Sequence, residues 1–161
     1  MDVLADSGIL LRLLEPTDAL HAASDQAVRV LHSRGDRIVI APQNVAEFWN
    51  VCTRPATVRG GYGLSIAEAD RRLTIIEAVF AVLSEPPTAY RLWRSLVMAH
   101  AVQGKQVHDA RLVALMQAHG ITHILTLNGS DFARYPGVTP IDPASLAPPP
   151  APPLLLPPTT P

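Results

Sequence analysis

Four acidic residues, Asp6, Glu47, Asp109 and Asp131, follow short apolar runs or lie on the helical stretches that come after them. Carboxylates that a fold brings together repel one another and raise each other's pKa, so such a cluster needs a divalent cation to neutralise it. Ligands that are all oxygen suit Mg²⁺ or Mn²⁺. The histidines lack zinc-ligand spacing, and the single cysteine, Cys52, can form neither a disulfide framework nor a cysteine zinc site.

Two of these acids also have ordinary structural explanations. Asp6 or Ser7 could cap a short helix, because their side-chain oxygens accept from the free N–H groups of a first turn. Glu47 shares one helical stripe with Gln43 and Asn50, at spacings i, i+4 and i+7, which is also the pattern of a solvated helix face. Each acid taken singly therefore leaves both explanations open.

The other two acids are ambiguous in the same way. Asp109 lies on the stripe that its helix turns inward, since Leu112, Val113 and Met116 follow at i+3, i+4 and i+7. A helix N-terminus favours an anion, which explains why an acid lies in the first turn. It does not explain why the carboxylate lies on the buried side of the helix. Asp131 follows an Asn-Gly-Ser turn and could cap a short helix there.

The elements that must position these acids alternate between strands and helices. We predict strands over residues 3–5, 37–41, 123–127 and 138–141, and helices over 7–14, 19–34, 42–53, 65–83, 86–104 and 109–119. This alternation indicates an α/β fold with a parallel sheet covered on both faces. Ligands of open parallel sheets bind beyond the carboxyl ends of the strands, which is where the four acids are predicted to lie.

Composition limits the other classes of function. The 161 residues suit one domain, 48% of them are hydrophobic, and the formal net charge of −1 does not by itself indicate a nucleic-acid or membrane partner. No apolar run is long enough to span a membrane and no signal peptide is evident, so we expect a cytoplasmic protein. Proline makes up much of residues 143–161, so we predict a domain over residues 1–142 and a proline-rich disordered tail over 143–161.

Four segments of the chain resemble the PIN domain family. They are VLADSGILLRLL, APQNVAEFWNV, HDARLVALMQAHG and ITHILTLNGSDF, and in order and spacing they are similar to the family's strand-one Asp, helix Glu, helix-opening Asp and final Thr-containing strand with its downstream Asp-Phe. The resemblance covers residues 3 to about 142. It implies a three-layer α/β/α fold with a central, mostly parallel sheet. Among small bacterial members the chain resembles VapC-type toxins, which implies an Mg²⁺- or Mn²⁺-dependent endoribonuclease with an RNA substrate, a cognate antitoxin and a homodimeric state.

The resemblance assigns roles to individual residues. Asp6, Glu47 and Asp109 match the family's metal-binding acids, and Asp131 matches the acid of the last motif. Many members carry an acid two residues after the strand threonine, where this chain has Asn128, so the number of metal ions is left open.

Three residues are candidate contacts to substrate. They are Ser7, Asn128 and Arg111; an amide can bind phosphate or a cation, and Arg111 lies off the inward stripe of its helix. The reaction that the resemblance implies is metal-assisted phosphodiester hydrolysis.

Other classes of function compete with this one. A haloacid-dehalogenase-like phosphatase needs a second Asp two residues after the first, where this chain has Gly8. A receiver-like domain needs a Lys near its last strand, and Lys105 precedes Asp109 instead. A non-catalytic PIN scaffold that binds a protein or RNA partner is the alternative that Asn128 keeps open.

Overall fold

The structure is a computed structural model that describes residues 1–146. Its strands form one five-stranded, wholly parallel sheet. The strands are β1 (Asp2–Ala5), β2 (Arg37–Ile40), β3 (Ala81–Val82), β4 (His123–Leu125) and β5 (Thr139–Ile141), and their order across the sheet is β3-β2-β1-β4-β5. The predicted α/β fold is confirmed.

Helices cover both faces of this sheet, as the three-layer prediction requires. Their bounds are α1 (Ser7–Leu13), α2 (His21–Ser33), α3 (Pro42–Thr53), α4 (Ile66–Val79), α5 (Pro87–Ala99), α6 (Gln106–Ala118) and α7 (Gly129–Phe132). Helices α1 to α4 pack on one face, and α5 to α7 pack on the other. In residues 1–146, no helix is both long and apolar enough to cross a membrane.

The central strand β1 shows why the sheet is buried on both sides. Val3 and Ala5 face the layer of α1 to α4, whereas Leu4 faces the layer of α5 to α7. All three side chains are fully buried. A strand whose successive side chains point to opposite faces must be apolar throughout when both faces are covered, so β1 is a continuous apolar run up to Asp6.

Two predicted helix boundaries are wrong in a way that matters for the site. The helix predicted to run to residue 83 ends at Val79, because Phe80 adopts extended backbone angles and Ala81–Val82 pair with β2 as a short edge strand. The apolar run at residues 79–83 does not by itself distinguish a helix end from a strand. The helix predicted to begin at Asp109 begins at Gln106, with Lys105 in the capping position.

The described chain continues a few residues beyond the predicted domain end near residue 142. Asp142 caps a 3₁₀ turn over Pro143–Ser145, accepting from the N–H of Ala144 at 2.9 Å. The carbonyl of Leu146 then accepts from the Gln26 side chain at 2.8 Å, and Leu146 packs against the core on the α2 face. Residues 143–146 therefore belong to the domain, and the rest of the predicted tail lies outside the described residues.

Candidate metal centre

Asp6 lies at the carboxyl edge of the sheet between its two central strands. Its N–H donates to the carbonyl of Leu125 at 3.0 Å, which continues the pairing of β1 with β4 by one residue. Its carboxylate accepts from the hydroxyl of Thr126 at 2.8 Å and from that of Ser7 at 3.3 Å. The Asp6 side chain makes no capping hydrogen bond to α1, so a helix cap does not explain its position.

Glu47 reaches the same edge from α3. One of its oxygens accepts from the Ser7 hydroxyl at 2.7 Å, and the other accepts from the Gln43 side-chain amide at 2.9 Å. Ser7 thus bridges Asp6 and Glu47. The predicted polar stripe on this helix is not one solvated face, because Gln43 is only 8% exposed whereas Asn50 is exposed.

Asp109 enters the site from the other layer of the fold. It is the fourth residue of α6, and α6 has its capping position at Lys105, so Asp109 does not cap the helix. The Gln43 amide also donates to the carbonyl of His108 at 3.1 Å, which links α3 to the turn that carries Asp109. Burial and the charges of Asp131, Asp6 and Glu47 raise the pKa of Asp109 to about 6.

Asp131 and Asn128 follow β4 and occupy the outer side of the site. Asp131 is exposed on α7, and after burial its charge is the largest cause of the raised pKa of Asp109. Asn128 precedes α7, and its backbone N–H donates to the Thr126 hydroxyl at 3.1 Å. The structure therefore places Asp131 within electrostatic range of Asp109 and leaves the Asn128 side chain exposed.

The charges at this edge of the sheet are not balanced within the described part of the chain. Burial raises the pKa of Asp6, the hydrogen bond from Thr126 opposes that shift, and the charge of Glu47 adds to it. Across residues 1–146 no ion pair joins a Lys, Arg or His to any of the four acids. The uncompensated negative charge is what a divalent cation would neutralise.

The donor set fits a hard cation, although the side chains are not gathered around a preformed cage. The available atoms are carboxylate and hydroxyl oxygens, which suit Mg²⁺ or Mn²⁺. Within residues 1–146 no three Asp, Glu, His or Cys side chains meet closely enough to form a ready metal site. The Ser7 hydroxyl bridges Asp6 and Glu47, and Asp109 repels its acidic neighbours, so cation binding would have to draw these groups together.

Two residues that support the site were not among the predicted functional residues. Thr126 is 1% exposed and donates to Asp6; Gln43 donates to Glu47. The signal for Thr126 was a polar residue inside the apolar run HILTL, directly before the loop that carries the last acid. Nothing in the sequence distinguishes the buried Gln43 from the exposed Asn50 on the same stripe.

Arg111, a predicted substrate contact, lies at the border of the site. It is exposed on α6, where its guanidinium donates to both carboxylate oxygens of Glu85 at 2.9 and 3.1 Å. Arg111 is therefore already paired with Glu85 and forms no hydrogen bond to any of the four acids in the described chain. Ser7, by contrast, is bound directly between two of them.

Comparison with known proteins identifies the fold of this arrangement. The sequence model of the PIN domain matches residues 3–138. The structure resembles VapBC2 from Rickettsia felis, solved bound to a DNA fragment from its promoter, with a TM-score of 0.66 at 12% identity over 88% of this chain and 98% of the other.

Two further solved structures resemble this one. A toxin–antitoxin complex from Klebsiella pneumoniae has a TM-score of 0.59 at 18% identity, covering 88% of this chain and 97% of the other. VapC20 of Mycobacterium tuberculosis, described as a sarcin–ricin loop cleaving toxin, has a TM-score of 0.53 at 19% identity, covering 76% and 86%. Among curated proteins, none matches this chain significantly in sequence.

Proposed function

This chain belongs to the PIN domain family, and on that premise we propose that it is a divalent-metal-dependent endoribonuclease that hydrolyses RNA phosphodiester bonds. The observation that carries the proposal is the set of four acids at the carboxyl edge of the sheet. They come from separate elements, burial and the charges of the other three raise the pKa of Asp109 to about 6, and no basic residue in the described chain pairs with them. Structural acids at a solvated surface would not need to converge in this way.

We assign the binding of Mg²⁺ or Mn²⁺ to Asp6, Glu47, Asp109 and Asp131. At such sites a divalent cation acidifies water and stabilises negative charge on phosphate oxygens. The chain's own part is to orient the ligands: the hydroxyl of Thr126 fixes one oxygen of Asp6.

The remaining groups act on Glu47 and on the substrate. Ser7 and Gln43 each donate to one oxygen of Glu47, which fixes the plane of that carboxylate. We assign contact with the substrate phosphate to Ser7 and Asn128; Ser7 would have to redirect to the phosphate the hydroxyl that it donates to Glu47. Arg111 would contact a phosphate of the flanking RNA backbone. To do so it would give up one of its hydrogen bonds to Glu85.

We further propose that the chain is the toxin of a type II toxin–antitoxin pair. The structures that resemble this chain include a toxin–antitoxin complex and a sarcin–ricin loop cleaving toxin, and the similarity in fold extends over most of each chain. The proposal includes a cognate antitoxin, a homodimer and action in the cytoplasm, where the RNA targets of such a toxin are found.

A non-catalytic PIN scaffold is the second candidate, and specific observations favour it. Asn128 stands where many family members have an acid, and the four acids do not form a ready metal site in this structure. A scaffold would keep the fold and bind a protein or RNA partner without cutting.

Cleavage of labelled single-stranded RNA by the purified protein separates the two candidates. We expect cutting with Mg²⁺ or Mn²⁺, none in EDTA, and a rate at least about 100-fold lower in Asp6→Asn, since losing one ligand of a catalytic cation removes several kcal/mol of transition-state stabilisation. Asn50→Ala, on the exposed side of α3, is the matched control and should cut normally. Metal-independent cutting, or an Asp6→Asn variant as active as wild type, would reject the mechanism.

A further inference from the structure

A pocket of about 280 Å³ lies between the loop that follows β3 and helices α5 and α6. Its lining includes Glu85, Tyr90, Trp93 and Arg111. Glu85 follows the carboxyl end of the edge strand β3, so the pocket opens on the same edge of the sheet as the four acids. The proposed mechanism makes no use of this pocket.

The pocket and the acidic site are linked through Gln43. Glu85 and Arg111 also line a second, much smaller cavity whose wall includes Gln43. The side chain of Gln43 in turn donates to Glu47. An RNA strand with one phosphate among the acids would therefore have to pass over Gln43 and Arg111 to reach the pocket.

The aromatic lining of the pocket is suited to stacking. The rings of Tyr90 and Trp93 have centroids 6.0 Å apart and planes tilted by 35°. The indole N–H of Trp93 donates to the carbonyl of Val107 at 3.0 Å, which fixes that ring. Apart from this contact with Trp93, Tyr90 is largely accessible, with 62% of its surface exposed.

Besides the Glu85–Arg111 ion pair, the surroundings of the pocket carry positive charge. Arg111 lines it on one side, and Arg91 and Arg94 line a second shallow depression that shares Tyr90 with it. Neither Arg91 nor Arg94 forms an ion pair with any residue in the described range 1–146. Arginine next to exposed aromatic rings is the combination by which proteins hold single-stranded nucleic acid.

We propose that this pocket binds the base of a nucleotide that flanks the bond cut at the acidic site. The base stacks on Tyr90 and Trp93, Glu85 accepts from its amino or imino groups, and the arginines contact the neighbouring phosphates. This proposal deepens the proposed function and rests on it for the position of the cut. We assign single-stranded RNA as the occupant. The flat, apolar faces of its bases match the aromatic side chains, and its anionic backbone matches the arginines.

The test measures binding without cleavage, by fluorescence anisotropy of a labelled six-nucleotide single-stranded RNA in EDTA. Tyr90→Ala should weaken binding about tenfold, which equals about 1.4 kcal/mol and lies within the range for loss of one base–aromatic stack. Tyr90→Phe keeps the ring and should bind like wild type. Arg111→Gln should weaken binding and reduce its salt dependence.

Arg29→Gln is the matched control for Arg111→Gln. Arg29 is also an exposed arginine paired with an acid, Asp25, but it lies on α2 in the other layer of the fold. It should bind RNA like wild type. As a second readout, RNA should quench the fluorescence of Trp93 in a Trp49→Phe protein, where Trp93 is the only tryptophan.

Three results would overturn the proposal. The first is wild-type binding by Tyr90→Ala, and the second is equal weakening by Tyr90→Ala and Tyr90→Phe, since stacking does not need the hydroxyl. The third is loss of binding that coincides with a dimer becoming a monomer in light scattering, which would assign this face to a contact between copies. The binding test needs no cleavage, so the two proposals can fail separately. If the protein cuts RNA with metal but the Tyr90 variants bind RNA like wild type, only the proposed base-binding role of the pocket is rejected. If the protein binds RNA through Tyr90 but does not cut it, only the proposed nuclease activity is rejected.

Discussion

The four acids differ in how the protein supports them. The carboxylate of Asp6 accepts from Thr126, and that of Glu47 accepts from Gln43 and from the Ser7 hydroxyl, whose oxygen also lies 3.3 Å from Asp6, so both carboxylates are oriented before any cation arrives. Asp109 has no such donor among the described residues, and burial together with the neighbouring acids raises its pKa to about 6. Substitution of Asp109 should therefore show most clearly how much the uncompensated negative charge destabilises the metal-free protein.

The first prediction follows from the pKa of Asp109. The folded value of about 6 lies above the ordinary value of 3.8, so the folded protein binds this proton more tightly than the unfolded chain does. The resulting stabilisation is complete below about pH 3.8 and is lost as the pH rises through about 6. In EDTA at pH 7.5, Asp109→Asn should therefore be more stable than wild type by roughly 1 kcal/mol, because an amide carries no charge to be repelled.

Denaturant unfolding of the two proteins in EDTA at pH 4.5 and pH 7.5 measures this difference. The difference in unfolding free energy between Asp109→Asn and wild type should be smaller at pH 4.5, where the Asp109 carboxyl of the wild type is largely protonated. Asp25→Asn, which removes an exposed acid paired with Arg29, controls for a general effect of lower charge. A less stable Asp109→Asn at pH 7.5 would show that Asp109 mainly stabilises the N-terminus of α6.

The second prediction compares Asp131 with Asn128. Asp131→Asn should slow cleavage more than Asn128→Ala, and raised Mn²⁺ should partly restore its rate. The reason is that a carboxylate offsets the charge of a hard cation, whereas an amide contributes only a dipole. Asn128→Asp should be tolerated, since it restores the acid that many family members carry there.

A metal titration of the cleavage rate for all three variants decides this comparison. An inactive Asn128→Ala beside a wild-type-like Asp131→Asn would mean that the last motif is assigned to the wrong residue. Asp131 would then be an exposed acid in the first turn of α7 with no part in the site.

At the scale of single residues, the sequence was informative about the acids and less so about their partners. Asp6 stands out because its charge directly follows a buried strand, but a helix cap explained it equally well until the structure showed no capping hydrogen bond from its side chain. Thr126 and Gln43 could not be assigned roles, because their importance comes from partners that are distant in sequence: Thr126 bonds a residue 120 positions away, and Gln43 bonds a carbonyl 65 positions away. Such contacts depend on the register of β1 with β4 and on how α3 meets α6.

At the scale of elements, the contact between α3 and α6 holds the two halves of the site together. The Gln43 amide donates both to Glu47 within its own helix and to the His108 carbonyl at the start of the other. Glu47 belongs to the layer of α1 to α4 and Asp109 to the layer of α5 to α7. One buried side chain therefore sets the distance between acids of opposite layers.

The third prediction concerns this link. Gln43→Leu keeps a side chain of similar size but removes both hydrogen bonds, so Glu47 loses its orientation. We expect the half-saturating Mn²⁺ concentration for cleavage to rise about tenfold or more, as is typical when a ligand loses the partner that orients it. Isothermal titration of Mn²⁺ into the protein should show the same loss without any reaction.

Asn50→Ala on the same stripe is the control for Gln43→Leu, and it should titrate like wild type. A Gln43→Leu protein with unchanged Mn²⁺ affinity but lower unfolding free energy would restrict Gln43 to a structural role. Gln43→Glu should not rescue the affinity, since it replaces a donor by a further negative charge beside Glu47.

The elements themselves were largely predictable, and the failures share a physical cause. Helix α3 was predicted at its observed bounds because Pro42 suits a first turn and the apolar positions have helical spacing. Strand β3 was missed because two exposed residues at the edge of a sheet carry no alternating pattern, and pairing with β2 alone determines them. The early start of α6 was missed because Gln106 to His108 lack a capping residue or an apolar stripe.

At the scale of the whole molecule, the strand order explains why the acids converge. The chain continues from β1 to β2 and β3 on one side of the sheet and reaches β4 and β5 on the other. The connections diverge between β1 and β4, and a crevice opens at that point. Asp6 follows β1 and Thr126 follows β4, so the crevice lies where their hydrogen bond is found.

The fourth prediction concerns the C-terminal boundary. Removal of residues 147–161 should leave cleavage and unfolding free energy unchanged, because a segment so rich in proline has little to bury. Removal from residue 143 onward should instead cost roughly 1–2 kcal/mol, since it deletes the Gln26 hydrogen bond to Leu146 and the packing of Leu146 on the core. Thermal unfolding of both truncations beside the full chain tests this, and equal melting temperatures for the two would contradict it.

The central claim is that the four acids form one divalent-metal site, and the most direct measurement is anomalous X-ray diffraction from crystals soaked in Mn²⁺. We predict one or two anomalous peaks contacted by Asp6, Glu47 and Asp109, with Asp131 directly bound or approaching through water, and no peak in Asp109→Asn crystals treated in the same way. Strong diffraction with no peak at these carboxylates, or a peak only at other acids of the surface, would contradict the claim. The chain would then be a PIN domain that has kept the fold and the acids without the metal.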